Sequence, residues 1–426
     1  MSVLSDLVSS FEIPPLIKIR QHFPNPKVNN PITEFQDKIQ NSGLIEKIKP
    51  GQSIAITAGS RGIKDAPLIY RELVSIIKEK GAKPFIIPAM GSHGGSTKEG
   101  QLSVLNRLGV TEEFCGCPII SSMETDCIGY TKNNNLAVNI DHHANKADGI
   151  ILVNRIKPHT SFRGELESGL AKISVIGLGK QKGAEYCHSL GMKNMSRNIR
   201  EISDYIIQHK NILFGIGILE NAKDETAKIV CLKDCDILKE EPALLKEAFS
   251  LLPQIYFYNY DILILDQIGK EISGTGMDCN IISRYTTDAI LPDPRQKVVT
   301  VLDLSDETHG NAHGMGLADI STKRFFEKID FESTYANPLT ALSLGSFKMP
   351  MILESDRVAI QASIKLCAGS DRKNPKIVRA KNTMDIENLM ISKSLLEEAR
   401  KNPNIEILSE PQPLVFDMNG NLNRNY

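Results

Sequence analysis

Three loops of this chain each follow an apolar, strand-like run, and each carries a group that can bind an anion or move a proton. Residues 53–57 (SIAIT) lead into Ala58-Gly59-Ser60-Arg61-Gly62. Residues 83–88 (KPFIIP) lead into Met90-Gly91-Ser92-His93-Gly94-Gly95-Ser96. Residues 147–153 (ADGIILV) lead into Asn154-Arg155-Ile156-Lys157-Pro158-His159. A guanidinium fork suits a carboxylate. Imidazoles serve as acid and base near neutral pH. Glycines let backbone N–H groups close on an anion, which marks Gly91, Ser92, Gly94 and Gly95 as cofactor-binding candidates. Each loop alone has an equally good structural reading, with Arg61 capping a helix or paired at the surface and the histidines packed. The three together favour a site, because ligands of open α/β sheets bind beyond the carboxyl ends of the strands.

The stretch 154–192 adds two more groups. Lys172 lies among Leu170, Ala171, Ile173, Val175 and Ile176. A lysine deprived of water loses basicity and becomes a nucleophile. Local sequence alone fits a snorkelling or phosphate-holding lysine better. His188 follows Cys187 in a helix-like run. A lone histidine there is usually a packing or surface group; as a ligand it suits a borderline metal such as nickel or zinc. His309 and His313 share the loop THGNAHGMG and could line a site from the second half of the chain.

Other motifs carry less. The stretch 177–183 (GLGKQKG) resembles a dinucleotide loop, but its third glycine is one residue late and no strand ending in an acid follows about 20 residues on. It reads as a tight turn. Asp141-His142-His143 recurs in phosphoesterases, yet no companion acidic motifs occur, so a polar loop is the better reading. Cys115-Gly116-Cys117 and the Cys231/Cys235 pair each supply half a metal site without a partner pair.

The elements that must hold these loops alternate. A helix is expected over 66–80, stopped by Gly81, and another from about Thr97. Further strands are expected at 212–219, 261–265, 297–302, 376–380 and 405–408, with helices at 357–366 and 392–401. Strand–helix alternation predicts an α/β fold: two α/β domains with mainly parallel sheets. The expected domains are 1–260 and 261–426, with both tails wrapping peripherally. Fifty Lys and Arg balance 51 Asp and Glu, so no basic excess exists to neutralise nucleic acid or a membrane surface. No apolar run reaches the roughly 18 residues of a spanning helix. The first residues lack the basic start and apolar block of a leader. Eight scattered cysteines read as reduced thiols, hence a cytoplasmic protein.

Taken together, His93, His159, Lys172 and His188 resemble the nickel-pincer lactate racemase family. The likeness is carried by the GSHGGS loop, the Pro158-His159 pair, the SGLAK segment and the histidine after it. The separations, 66 residues from His93 to His159 and 16 from Lys172 to His188, agree with the family pattern. It is strongest in the N-terminal half; beyond it, 274–281 (GTGMDCNI) resembles a family loop that faces the site.

The resemblance implies a cofactor, nickel held by pyridinium-3,5-bisthiocarboxylic acid mononucleotide, linked covalently at Lys172 with His188 completing the metal's ligands. It implies a site in the cleft between two domains, His93 and His159 as the acid/base pair, and Arg61 orienting a carboxylate. The reaction would racemise or epimerise a 2-hydroxy acid. A carbon-bound hydrogen of such an acid is too weakly acidic for histidine, so an electron-poor ring must take it as hydride. Partners would be the small-molecule substrate and the host's cofactor-biosynthesis proteins.

The chain departs from the family where substrate is held. Ala58 stands where the family has an acid, Met277 where it has a lysine, and the chain has no Trp. Lys270 and Arg284 lie nearby but out of register. The expected substrate is therefore not lactate, with Met277, His309, His313 or Arg284 at its side. The competing readings are a nicotinamide-dinucleotide dehydrogenase using 177–183 and a non-catalytic metal or iron–sulfur protein. Nothing in the sequence sets the oligomeric state.

Overall fold

Continuous apolar runs form strands buried on both faces, as a sheet covered on both sides requires. Ile212–Glu220 is buried at every position. In the computed structural model, which describes residues 3–291, 293, 295–341 and 344–423, the chain folds as two α/β units. One unit comprises Pro24–Leu252; the other comprises Met1–Phe23 with Pro253–Tyr426.

The 24–252 unit has a five-stranded sheet in the order Lys83–Pro88, Ser53–Ala58, Gly149–Arg155, Ile212–Glu220, Thr226–Lys233. The first four strands are parallel and the last is antiparallel. The helix Ala66–Glu79 packs Ile69, Leu73 and Ile77 into the core, and Gly81 follows it at φ +76. Thr97 caps Lys98–Arg107 by accepting from the Gly100 N–H. These elements match the expected ones closely. The hairpin Thr125–Tyr130 with Ala137–Asp141 was not expected from the sequence. Its first strand has no fully buried residue, so it carries no apolar run.

The other unit has an eight-stranded sheet: Met351–Leu353, Ile320–Thr322, Gln296–Val301, Tyr260–Leu265, Ile377–Ala380, Asn388–Ser392, Leu16–Gln21, Ile405–Ile407. It is parallel as far as Ile377–Ala380 and antiparallel beyond. The expected boundaries, 1–260 and 261–426, therefore need correction. Leu16–Gln21 is no peripheral tail. It pairs with Asn388–Ser392 on one side and Ile405–Ile407 on the other, with Leu16, Ile17 and Ile19 buried. The N-terminus belongs with the C-terminal sheet because that is where its backbone bonds and apolar face are satisfied. The expected helix at 392–401 begins later, at Leu396–Lys401, after a strand over Asn388–Ser392.

Candidate active site

Lys172 is delivered by a short segment with unusual backbone. A helical turn, Leu170–Lys172, runs straight into a π turn, Ile173–Gly177, a form frequent at functional sites. Leu170 and Ala171 are fully buried and anchor the turn. Its start is fastened twice. Asn154 Nδ2 donates to the Gly169 carbonyl at 2.8 Å, tying it to the end of Gly149–Arg155. Glu241 Oε2 accepts from the Ala171 N–H at 3.0 Å. A Cβ at Gly169 would lie 2.2 Å from Glu241 Oε1, so a larger residue there would push that carboxylate out of place. Gly215 on the central strand serves the same end, since a Cβ there would meet Leu170 Cδ1 at 2.6 Å.

The electrostatics around Lys172 are strongly cationic. Loss of water, then Arg61 and Lys157, pull its ammonium down to about 7, while Glu167 opposes them. Its Nζ lies 5.9 Å from the centroid of Phe162. The His159 ring stacks on that same phenyl, with centroids 4.4 Å apart. Burial, then Lys172, Lys157, His188 and Arg61, hold His159 well below the usual imidazole range. His188, on the helix Lys180–Ser189, is pushed down to about 4 by burial and by Lys172. Arg61 and Lys157 thus act on both Lys172 and His159, and His188 interacts with each of those two. The loop around His159 is clamped by the buried Glu167, whose Oε2 accepts from the His159 N–H at 2.6 Å and from Arg163 at 3.3 Å. Ser161 N–H donates to His159 Nδ1 at 3.0 Å.

His93 sits in a loop whose Gly91 N–H bonds the Gly177 carbonyl at the end of the π turn. The groups that act on Lys172 and His159 do not include His93. Its Nδ1 lies 2.8 Å from the Met90 carbonyl oxygen. Gln101 Nε2 donates to the Gly91 and His93 carbonyls at 2.9 and 3.3 Å. Gln101 is in turn held by the fully buried Lys180, which also donates to the Pro88 carbonyl and pairs with Asp141 at 3.2 Å. The expectation that the loop glycines serve an anion is modified. Gly91 N–H already bonds Gly177 O at 3.4 Å, and a Cβ at Gly94 would lie 2.5 Å from Gly100. Close backbone packing explains Gly91 and Gly94; for Ser92 and Gly95 no such packing role stands out.

Four expected substrate groups lie in the other unit. Met277 is corrected outright: its side chain is fully buried in that unit's apolar core and has no surface to offer a substrate. His309 is exposed, in left-handed backbone at φ +50. His313 is buried, and burial with Lys270 nearby lowers it to about 4. Arg284 is engaged with Asp319 at 2.7 Å and the Leu317 carbonyl.

The side motifs resolve structurally. The 177–183 stretch follows a π turn and opens a helix, so the strand a dinucleotide loop needs is missing there. Asp141 caps the helix His142–Lys146, and His142 pairs with Asp126 at 3.0 Å. All eight cysteines are free thiols, with Cys115 and Cys117 pushed up to about 11 and 12 by burial. Among the described residues no three His, Cys, Asp or Glu are placed to hold a metal, and no helix is long and apolar enough to cross a membrane. Sequence reading missed Asn154, Lys157, Phe162, Glu167, Lys180 and Glu241. Only Lys157, two residues before His159, left a local trace.

A family profile described as "Domain of unknown function (DUF362)" matches residues 54–237, the stretch that holds Arg61, His93, Lys157, His159, Lys172 and His188. No curated protein matches the sequence. Among solved structures, the lactate racemase apoprotein from Thermoanaerobacterium thermosaccharolyticum matches at 13% identity with a TM-score of 0.55. The match covers 87% of this chain and 99% of that one. At that identity the likeness is one of fold: mixed α/β with mostly parallel sheets.

Proposed function

We propose that this chain is a racemase or epimerase of a 2-hydroxy acid that works with a nickel-pincer mononucleotide tethered at Lys172. The observation that carries the proposal is the lysine, an amine brought to about 7 among Arg61, Lys157, His159 and His188. A thioamide link needs an uncharged amine, and a cationic surround needs an anionic ligand. With no metal set built from protein groups alone among the described residues, His188 would hold nickel together with soft donors that the cofactor brings. The likeness in fold to a lactate racemase apoprotein supports the same reading.

When bound, that group supplies an electron-poor ring that takes hydride from the hydroxyl-bearing carbon. The chain's own groups do the rest. Arg61 and Lys157 draw in and orient carboxylate, Phe162 packs against the His159 ring and faces the Lys172 ammonium, and His93 and His159 act on the hydroxyl group as it loses its proton. With Ala58 and a buried Met277 at two substrate positions of the family pattern, the substrate is a 2-hydroxy acid other than lactate. The protein works in the cytoplasm and receives its cofactor from the host's biosynthetic proteins.

The test is intact-protein mass spectrometry with nickel analysis, on protein from a host that makes the pincer cofactor. The expected result is an adduct mapping to Lys172 with about one nickel per chain, as a single cofactor site requires, and no adduct in Lys172→Ala. Neither adduct nor nickel, from a host that loads a control racemase, overturns the proposal.

A further inference from the structure

We infer that His93 and His159 are not interchangeable: His93 is held as the proton acceptor and His159 as a hydrogen-bond donor, because their backbone partners fix opposite tautomers. The catalytic part of this rests on the function proposed above; the tautomers do not.

The partners decide the matter. Ser161 N–H donates to His159 Nδ1 at 3.0 Å. A backbone amide has only a proton to give, so this Nδ1 presents its lone pair, and the neutral ring carries its proton on Nε2. The ring has little freedom to change this. Glu167 Oε2 holds the His159 N–H at 2.6 Å, Glu167 Oε1 holds the Gly164 N–H at 3.2 Å, and Phe162 stacks beneath the imidazole at 4.4 Å. A proton on Nδ1 would confront the Ser161 N–H.

His93 is the reverse. Its Nδ1 lies 2.8 Å from the Met90 carbonyl oxygen, which can only accept. Nδ1 therefore carries the proton, and in the neutral ring the lone pair sits on Nε2. The Met90 carbonyl itself is placed by the same turn, since the His93 N–H donates to it at 3.2 Å. Gln101 holds the loop from the other side through the Gly91 and His93 carbonyls.

The roles follow. When a substrate hydroxyl gives its proton to His93 Nε2, the O–H bond breaks, an N–H bond forms and the electron pair stays on oxygen. The resulting imidazolium keeps its bond to the Met90 carbonyl, which stabilises the positive charge. His159 Nε2–H has no lone pair to accept that proton. It can donate a hydrogen bond to the substrate oxygen as negative charge grows there. A symmetric two-base exchange would need both rings to present a lone pair on the same nitrogen, and these two do not.

The test is long-range proton–nitrogen correlation on full-length protein labelled with ¹⁵N-histidine, with His93→Gln and His159→Gln used to assign the rings. It is read above the ordinary imidazole range, about pH 8, and needs neither cofactor nor turnover. The expected result is a lone-pair Nδ1 with protonated Nε2 for His159, and the opposite for His93. The same tautomer in both rings, or a mixture in either, overturns the inference. In loaded enzyme, a glutamine amide placed near Nε2 can donate but cannot serve as a base. His159→Gln should recover turnover relative to His159→Ala, whereas His93→Gln should stay down by about 100-fold or more, like His93→Ala. Recovery at His93 and none at His159 overturns it. Absence of turnover in the loaded wild type would count against the proposed function, and the nitrogen spectra would still decide the tautomers.

Discussion

At the scale of single residues, an amine that titrates near neutrality reacts where ordinary lysines do not. Lys172 is brought to about 7, first by loss of water and then by Arg61 and Lys157. A lysine reacts in its uncharged form, so its modification rises with pH through the pKa. Labelling of Lys172 by an amine-directed reagent, followed by peptide mass spectrometry, should be half-maximal near 7, whereas solvated lysines need about 10.4. Arg61→Met and Lys157→Met each remove a repelling charge and should move the Lys172 midpoint upward. An unmoved midpoint in both variants would leave those cations without influence on the amine. His93 and His159 could be picked out of the sequence by type and loop position, Lys172 and His188 only through the resemblance to a known family. Phe162 and Glu167 could not, since a phenylalanine and a glutamate a few residues past a histidine are ordinary until the loop closes on them.

At the scale of elements, the lysine-bearing turn is organised by a group 70 residues away. Glu241, on the helix Ile237–Leu251, is fully enclosed and raised to about 7 by burial, against the Ala171 and Leu170 N–H groups that favour its charge. Its folded value lies above the ordinary 4.5 of a glutamate, so the stability it brings is present at low pH and is lost as pH rises from about 4.5 through 7. Glu241→Gln keeps an acceptor oxygen but has no proton to lose. Relative to wild type, the variant should therefore gain in denaturant midpoint between pH 5 and pH 8. A difference independent of pH would mean that Glu241 does not titrate in that window. The strands next to this turn were readable because burial on both faces demands unbroken apolar runs, as in Ser53–Ala58 and Ile212–Glu220. Thr226–Lys233 was not, because as the antiparallel edge of the sheet it is mostly half-buried and mixes polar with apolar residues.

At the scale of the whole molecule, the first 23 residues complete a sheet built otherwise from residue 253 onward. Leu16, Ile17 and Ile19 are buried there, each worth about 1.5–3 kcal/mol, together comparable with the stability of a whole domain, about 5–15 kcal/mol. Deleting residues 1–23 should leave Ile405–Ile407 without its pairing strand and unfold the 253–426 region. Limited proteolysis should then cut that region while sparing 24–252; a truncated chain resistant throughout would show that the strand is dispensable. The sequence by itself determined the α/β class, the order of the main strands and helices and the residue types able to do chemistry. All three are local: apolar periodicity, capping residues and side-chain identity are written residue by residue. Only the tertiary structure decided that Leu16–Gln21 lies between Asn388–Ser392 and Ile405–Ile407, that Met277 is a core residue, that Glu241 braces the Lys172 turn and that the two histidines face opposite backbone partners. Each of those rests on where distant backbone donors, acceptors and apolar faces meet, and pairing across such distances leaves no local periodicity to read.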